Sequence, residues 1–181
     1  MKLHLVRHPQ PDVAPGLCYG ASDVAVAQAE LTRVHAHLSA HGLPGSLTVY
    51  SSPLQRCAHL AQRLQPRSLR FDARLAEMNF GSWEMRAWDY IPRAEVDAWA
   101  ADLLHYRPGG AECVLDVARR VATFIDDLRQ AGTIEALLVC HAGTIRLLSA
   151  MRAGLPLEQA ALDAASRPHR IGYGELVTLE L

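Results

Sequence analysis

Residues 136–146 read Ala-Leu-Leu-Val-Cys-His-Ala-Gly-Thr-Ile-Arg: an apolar run through Cys140, then His141, then the approach to a helix expected from about Thr144 to Ala153. Three other apolar runs end in the same way. Residues 3–6 lead into Arg7 and His8, residues 47–50 lead within a few positions to Arg56, and residues 69–71 lead through a short link to Glu77. In open α/β sheets ligands bind outside the carboxyl ends of the strands, so residues scattered along the chain can meet there. Two arginines, two histidines and one carboxylate are thereby expected to share a pocket.

Helical patterns alternate with these runs. Residues 9–22 hold three prolines and two glycines and read as a surface loop. Ala27, Leu31, Val34 and Leu38 then recur at helical steps until Gly42 and Pro44. Ser52, Pro53 and Gln55 suit an N-cap, a first helical position and a capping-box partner, which puts Arg56 in the first turn of a helix burying Leu54, Cys57, Ala61 and Leu64. Val114, Val117, Val121, Ile125 and Leu128 mark another helix, ending at Gly132. A shorter helix near 157–164 and a closing strand at 175–179 follow. Residues 76–92, with Gly81, Trp83, Trp88 and Pro92, are the least regular part and lead to a helix through Val96, Trp99 and Leu103. The stretch 76–107 is expected to form an inserted lid or wall in one domain of residues 1–181. Strands alternating with helices imply an α/β fold with a mainly parallel sheet covered on both faces.

Half of the 181 residues are apolar, enough for a full core. Eighteen basic residues against 19 acidic ones leave no global field of the kind that attracts nucleic acid or an acidic membrane. The amino-terminal apolar run is too short for a signal peptide and no stretch could cross a bilayer, so a cytoplasmic protein is expected. Cys18, Cys57, Cys113 and Cys140 form no CxxC pair and read as reduced thiols. His37 and His41 stand four residues apart, a spacing that can hold a metal, but no third ligand lies near and a solvated helix face accounts for them. Neither metal nor cofactor is expected.

The converging residues suit phosphoryl transfer. One opposite charge at about 4 Å contributes roughly 4 kcal/mol at an effective dielectric near 20, so a phosphate dianion leaving water needs several cations. Arg7, Arg56 and a protonated His141 supply three, with guanidinium forks that match phosphate oxygens. His8 is the candidate nucleophile, kept unprotonated by its cationic neighbours. Glu77 would protonate the leaving alkoxide and then activate water.

These residues also carry a resemblance. Leu5-Val6-Arg7-His8, Ser51-Ser52-Pro53-Leu54-Gln55-Arg56 and Cys140-His141-Ala142-Gly143-Thr144-Ile145-Arg146 resemble the three motifs of the histidine phosphatase superfamily, which includes the cofactor-dependent phosphoglycerate mutases. The resemblance implies a three-layer phosphoglycerate mutase-like fold, catalysis by Arg7, His8, Arg56, Glu77 and His141, and phosphorylation of His8. It adds Gln10, Tyr19, Gly20 and Ala142 to Arg7, Arg56 and His141 as substrate-binding positions. Residues 16–20 (GLCYG) with Asp23, residues 77–84 (EMNFGSWE) and residues 108–112 (PGGAE) are most similar to α-ribazole phosphatases, which remove a 5'-phosphate in cobalamin assembly. The expected partner is a small phosphorylated metabolite, with no nucleic acid and no membrane; homodimerisation stays open. The mutases' extra segments over the pocket are absent, which favours hydrolysis over mutase activity.

The pattern is broken in places. Pro9 stands where the family usually has glycine, Pro11 and Ala14 replace polar residues, and Met85 replaces a glycine after Trp83-Glu84. Pro9 lacks a backbone N–H and restrains His8, which motivates a second reading: a phospholigand-binding protein without turnover. A broad-specificity phosphatase or mutase-like enzyme is a third. A serine or cysteine hydrolase is disfavoured, since no GxSxG elbow is present and Cys140 lies in an apolar run. Residues 9–22 and 80–99 are expected on the leaving-group side, where Trp83 and Trp88 either stack on a base or pack within the protein.

Overall fold

The computed structural model describes all residues, 1–181. Strands β1 (Lys2–Arg7), β2 (Thr48–Ser51), β3 (Ser68–Phe71), β4 (Glu135–Cys140) and β5 (Leu176–Glu180) form one sheet in the order β3-β2-β4-β1-β5. The first four are parallel, and β5 runs antiparallel to β1 at the edge. Helices α1 (Gln28–Ala40) and α2 (Gln55–Arg63) cover one face, and α4 (Val114–Gln130), α5 (Ala142–Met151) and α6 (Leu157–Ser166) cover the other; α3 (Arg93–Ala101) stands in the irregular region. This is the three-layer phosphoglycerate mutase-like architecture.

Strand β4 shows why the middle of the sheet is apolar throughout. Leu138 and Cys140 pack with Val121, Phe124 and Ile145 in one core cluster, while Leu137 and Val139 pack with Leu31, Val34 and Leu60 in the other. Side chains alternate across a strand, so a strand covered on both faces needs apolar residues at every position.

Register turns this packing into a site. Arg7 pairs with Cys140, while Ser51 pairs with Val139 on one side and Phe71 on the other. The four parallel strands therefore end nearly level, and His8, Ser52, Asp72 and His141 stand just beyond them.

The start of α2 departs from expectation. No capping box forms: the helix begins at Gln55, and its first N–H donates to Asp23 Oδ1 at 2.7 Å, while Gln55 Nε2 donates to the Asp23 carbonyl at 2.8 Å. A carboxylate from the preceding loop takes the capping role. Ser52 Oγ accepts from Leu54 N–H at 3.3 Å and lies 2.9 Å from His141 Nε2.

Candidate active site

His8 is buried and its Nδ1 lies 2.7 Å from the Pro9 carbonyl. A carbonyl only accepts, so Nδ1 carries the proton and a neutral ring presents a bare Nε2. Burial, then the charges of Arg56 and Arg7, push the His8 pKa down from 6.5 to about 3. Pro9 is thus used through its carbonyl, and the amide it lacks is not missed at this contact.

Arg7 and Arg56 flank this ring. Arg7 Nη1 donates to the Ile171 carbonyl at 2.6 Å; Arg56 Nη1 donates to Ser22 O at 2.8 Å and its Nη2 to Gly20 O. The Nε of each arginine is buried without any partner. An unpaired buried donor on a cation is costly, and two at one site mark where an anion fits.

His141 is fully buried, its ring centroid 5.1 Å from that of His8, with Nε2 2.9 Å from the Ser52 hydroxyl. The surroundings of His141 work against the expected third cation. Burial, reinforced by His8 and Arg56, holds His141 well below its ordinary pKa and therefore neutral. The cradle's permanent positive charge is carried by the two guanidinium groups.

Glu77 faces the N-terminus of α5, where its Oε2 accepts from Gly143 N–H at 3.3 Å and its Oε1 from Met78 N–H at 3.1 Å. Gly143 is needed for this approach, since a Cβ there would collide with Glu77 Oε1. Arg120 fixes the backbone beneath, donating to the carbonyls of Arg74, Ala76 and Glu77.

These groups open on a cavity of about 530 Å³ that Arg7, His8, Arg56, Glu77, Tyr19 and Ala142 help to line. Gly20 supports it from behind through the carbonyl that holds Arg56, and its own N–H donates to Glu84. Gln10 does not take the expected place. It is exposed, outside the lining, with its N–H on Glu30 Oε1 at 3.1 Å.

The remaining wall is mostly apolar. Phe80 and Trp88 come from the irregular stretch and Trp99 from α3; the Trp88 and Trp99 rings lie 7° from parallel at 6.2 Å. Trp83, by contrast, is fully buried and donates to Glu95 at 2.6 Å, so it packs rather than lining the cavity. Trp99 Nε1 is buried with no partner.

Several contributors had no local signal in the chain. Glu84 accepts from the N–H groups of Gly20, Ala21, Ser22 and Phe80 and from the Ser22 hydroxyl. Burial opposes its charge, but these donors outweigh it and hold Glu84 below the ordinary carboxylate range. It thereby shapes the turn whose carbonyls hold Arg56. Arg146 and His169 also reach the cavity, and Tyr173 lies against Arg7. A helix-borne arginine after His141 was readable; Glu84 and Tyr173 act across long sequence separations and were not.

A family model described as the histidine phosphatase superfamily (branch 1) matches residues 3–167. The chain belongs to this superfamily. Membership classes it as a phosphoric monoester hydrolase of the phosphohistidine type, acting on small phosphorylated metabolites. Among solved structures, this histidine phosphatase is similar to the α-ribazole phosphatase of Shigella flexneri, with TM-score 0.84 and 25% identity over 100% of this chain and 91% of that one. It is also similar to a mycobacterial glucosyl-3-phosphoglycerate phosphatase in complex with VO3, with TM-score 0.80 and 26% identity over 99% of this chain and 92% of that one. A curated Schizosaccharomyces pombe relative named "Probable fructose-2,6-bisphosphatase C732.02c" is 30% identical over 116 residues, 62% of this chain and 28% of the relative. The chain thus matches just over a quarter of that relative's length. No helix is long and apolar enough to cross a membrane.

Proposed function

We propose that this histidine phosphatase hydrolyses α-ribazole 5'-phosphate, or a closely related nucleoside-like 5'-phosphate, through a phosphohistidine on His8. The observation that carries the chemistry is the His8 ring, neutral and with Nε2 bare, between two arginines whose buried Nε donors are unpaired. Nε2 attacks phosphorus and the bond to the leaving oxygen breaks, with the alkoxide taking the proton of the Glu77 carboxyl group. In the second step the Glu77 carboxylate takes a proton from water, the water oxygen attacks phosphorus, and the N–P bond breaks to release inorganic phosphate. Arg7 and Arg56 stabilise charge on the equatorial oxygens in both steps, the part of such reactions that fixed donors serve best. They supply the positive charge for which other phosphatases recruit a divalent cation.

The lining of the wall supports this choice of substrate. Phe80, Trp88 and Trp99 offer aromatic faces to a planar leaving group, and Trp99 Nε1 is an unpaired donor for an acceptor on it, such as a heterocyclic nitrogen. The likeness to the Shigella α-ribazole phosphatase supports the same choice. Residues 76–107 act as the wall over this leaving group within one domain. A phosphorylated sugar acid is the second reading, favoured by the half-buried Arg146 beside His169 at the cavity, where a carboxylate would find a cation.

The test is a substrate panel with His8→Ala beside the wild type. We expect kcat/KM for α-ribazole 5'-phosphate at least tenfold above that for 3-phosphoglycerate or sugar phosphates, no loss on chelation of metals, and an acid-labile phosphoenzyme absent from His8→Ala. The opposite substrate order overturns the choice of leaving group. Phosphate binding without turnover by the wild type overturns catalysis and leaves a binding protein.

A further inference from the structure

Two tyrosines meet over the phosphate cradle from segments 154 residues apart. The Tyr19 and Tyr173 hydroxyls are 2.9 Å apart. The Tyr173 ring lies 3.8 Å from Arg7 Cζ, within stacking distance of the guanidinium, and 5.6 Å from the His8 ring at 48°. The Tyr19 ring lies 5.6 Å from Arg56 Cζ. A continuous path therefore runs from Arg7 through Tyr173 and Tyr19 to Arg56. The backbone around Tyr173 is tied to the same place, because Ile171 O accepts from Arg7 Nη1 and Gly174 N–H donates to the carbonyls of Arg7 and His8. Burial, and then the bond to Tyr173, raise the Tyr19 pKa, so the phenol stays neutral at working pH.

We propose that the Tyr19–Tyr173 hydrogen bond is a positioning device: it holds the Tyr173 ring on the Arg7 guanidinium, keeps the Tyr19 ring within cation–π reach of Arg56, and so fixes the spacing of Arg7 and Arg56 about His8. Arg56 is held by two carbonyls, whereas Arg7, held by one, can still swing about that bond. A ring stacked on its face removes this freedom, and the stack adds cation–π attraction without using a donor that phosphate needs. Linking the two rings makes the positions of the two arginines interdependent. Such restraint matters most in the transition state, where small misplacements of donors are expensive.

The inference rests on the phosphohistidine reading and is tested by a double-mutant cycle with Tyr19→Phe, Tyr173→Phe and both together. Each change removes one hydroxyl oxygen and keeps the ring. Turnover of p-nitrophenyl phosphate is measured beside calorimetric binding of orthovanadate and of inorganic phosphate. We expect each single variant to lower kcat three- to tenfold and to weaken vanadate by a similar factor. KM and inorganic phosphate affinity should stay within twofold, and the double variant should be no worse than either single. Variants within twofold of wild type in both kcat and vanadate affinity overturn the proposal, as do losses that multiply in the double variant. Should one variant fail to fold, the other single variant decides on the same criteria. A wild type without turnover defeats the catalytic reading by itself, and vanadate binding across the cycle still decides the role of the tyrosine bridge.

Discussion

Arg7, His8, Arg56 and His141 stand at or a few residues beyond level strand ends, whereas Phe80, Trp88 and Trp99 stand on short 3₁₀ turns, their flanks and the nine-residue α3. In the first group His8, Arg56 and His141 are buried and Arg7 partly so, tied to backbone carbonyls and a serine hydroxyl; in the second, Trp88 is 38% exposed and held by ring contacts. On the proposed function, the sheet ends hold the phosphoryl group and the irregular segment meets the group it leaves, a division between residues tied to carbonyls and partly exposed aromatic ones.

The sharpest way to break that division is Arg56→Ala. It removes one of two guanidinium charges at a site where His141 is neutral, and kcat is expected to fall by 10²–10³ for every substrate tested. A loss confined to one substrate would mean that the cradle also selects leaving groups.

Acid should act on the cradle next. The folded His8 pKa, about 3, lies below its ordinary 6.5, and His141 is shifted the same way. As pH falls below 6.5 the unfolded chain takes up these protons first. Their stabilising contribution is therefore complete above about pH 6.5 and is lost as pH drops towards the folded values. Each histidine adds up to about 1.4 kcal/mol per pH unit to the slope. Urea unfolding between pH 7 and 4 should show a shallower slope in His8→Asn than in wild type, and equal slopes would contradict the neutral, buried ring.

Within the wall the effects are smaller. Trp99→Phe keeps an aromatic face and removes the unpaired donor, so KM for a heterocyclic 5'-phosphate should rise by about five- to tenfold. Turnover of p-nitrophenyl phosphate should stay within twofold. Equal losses on both would make Trp99 part of the cradle. Smallest of all, Met85 adopts φ +61° where glycine would be relaxed, its N–H held by Cys18 O at 2.7 Å. Met85→Gly should stabilise the fold by about 0.5–1 kcal/mol, a rise of a few degrees in the thermal midpoint, with kcat unchanged.

The strands were legible because each is a short apolar run ending in a polar residue that has no place in a core. The meeting of Arg7, His8, Arg56, Glu77 and His141 follows from strand order and register, which a parallel α/β pattern constrains strongly. The start of α2 was misread, since the Ser52–Gln55 spacing looks locally like a capping box while the cap comes from Asp23 in another loop. Burial works against a charge on His141, and a motif does not encode burial. Gln10, expected at the substrate from the resemblance, is exposed with its N–H on Glu30 Oε1, a placement that the motif around His8 does not encode. Glu84 and Tyr173 act on Arg56 and Arg7 over long separations, and no spacing rule reveals such partners.

Gly174 N–H is bonded to the carbonyls of Arg7 and His8, and Ile171 O to the Arg7 side chain. Loss of the segment that carries Ile171 and Gly174 would therefore leave the Arg7 guanidinium without its carbonyl acceptor and the backbone of Arg7 and His8 without the Gly174 donor, although four of the five strands lie before it.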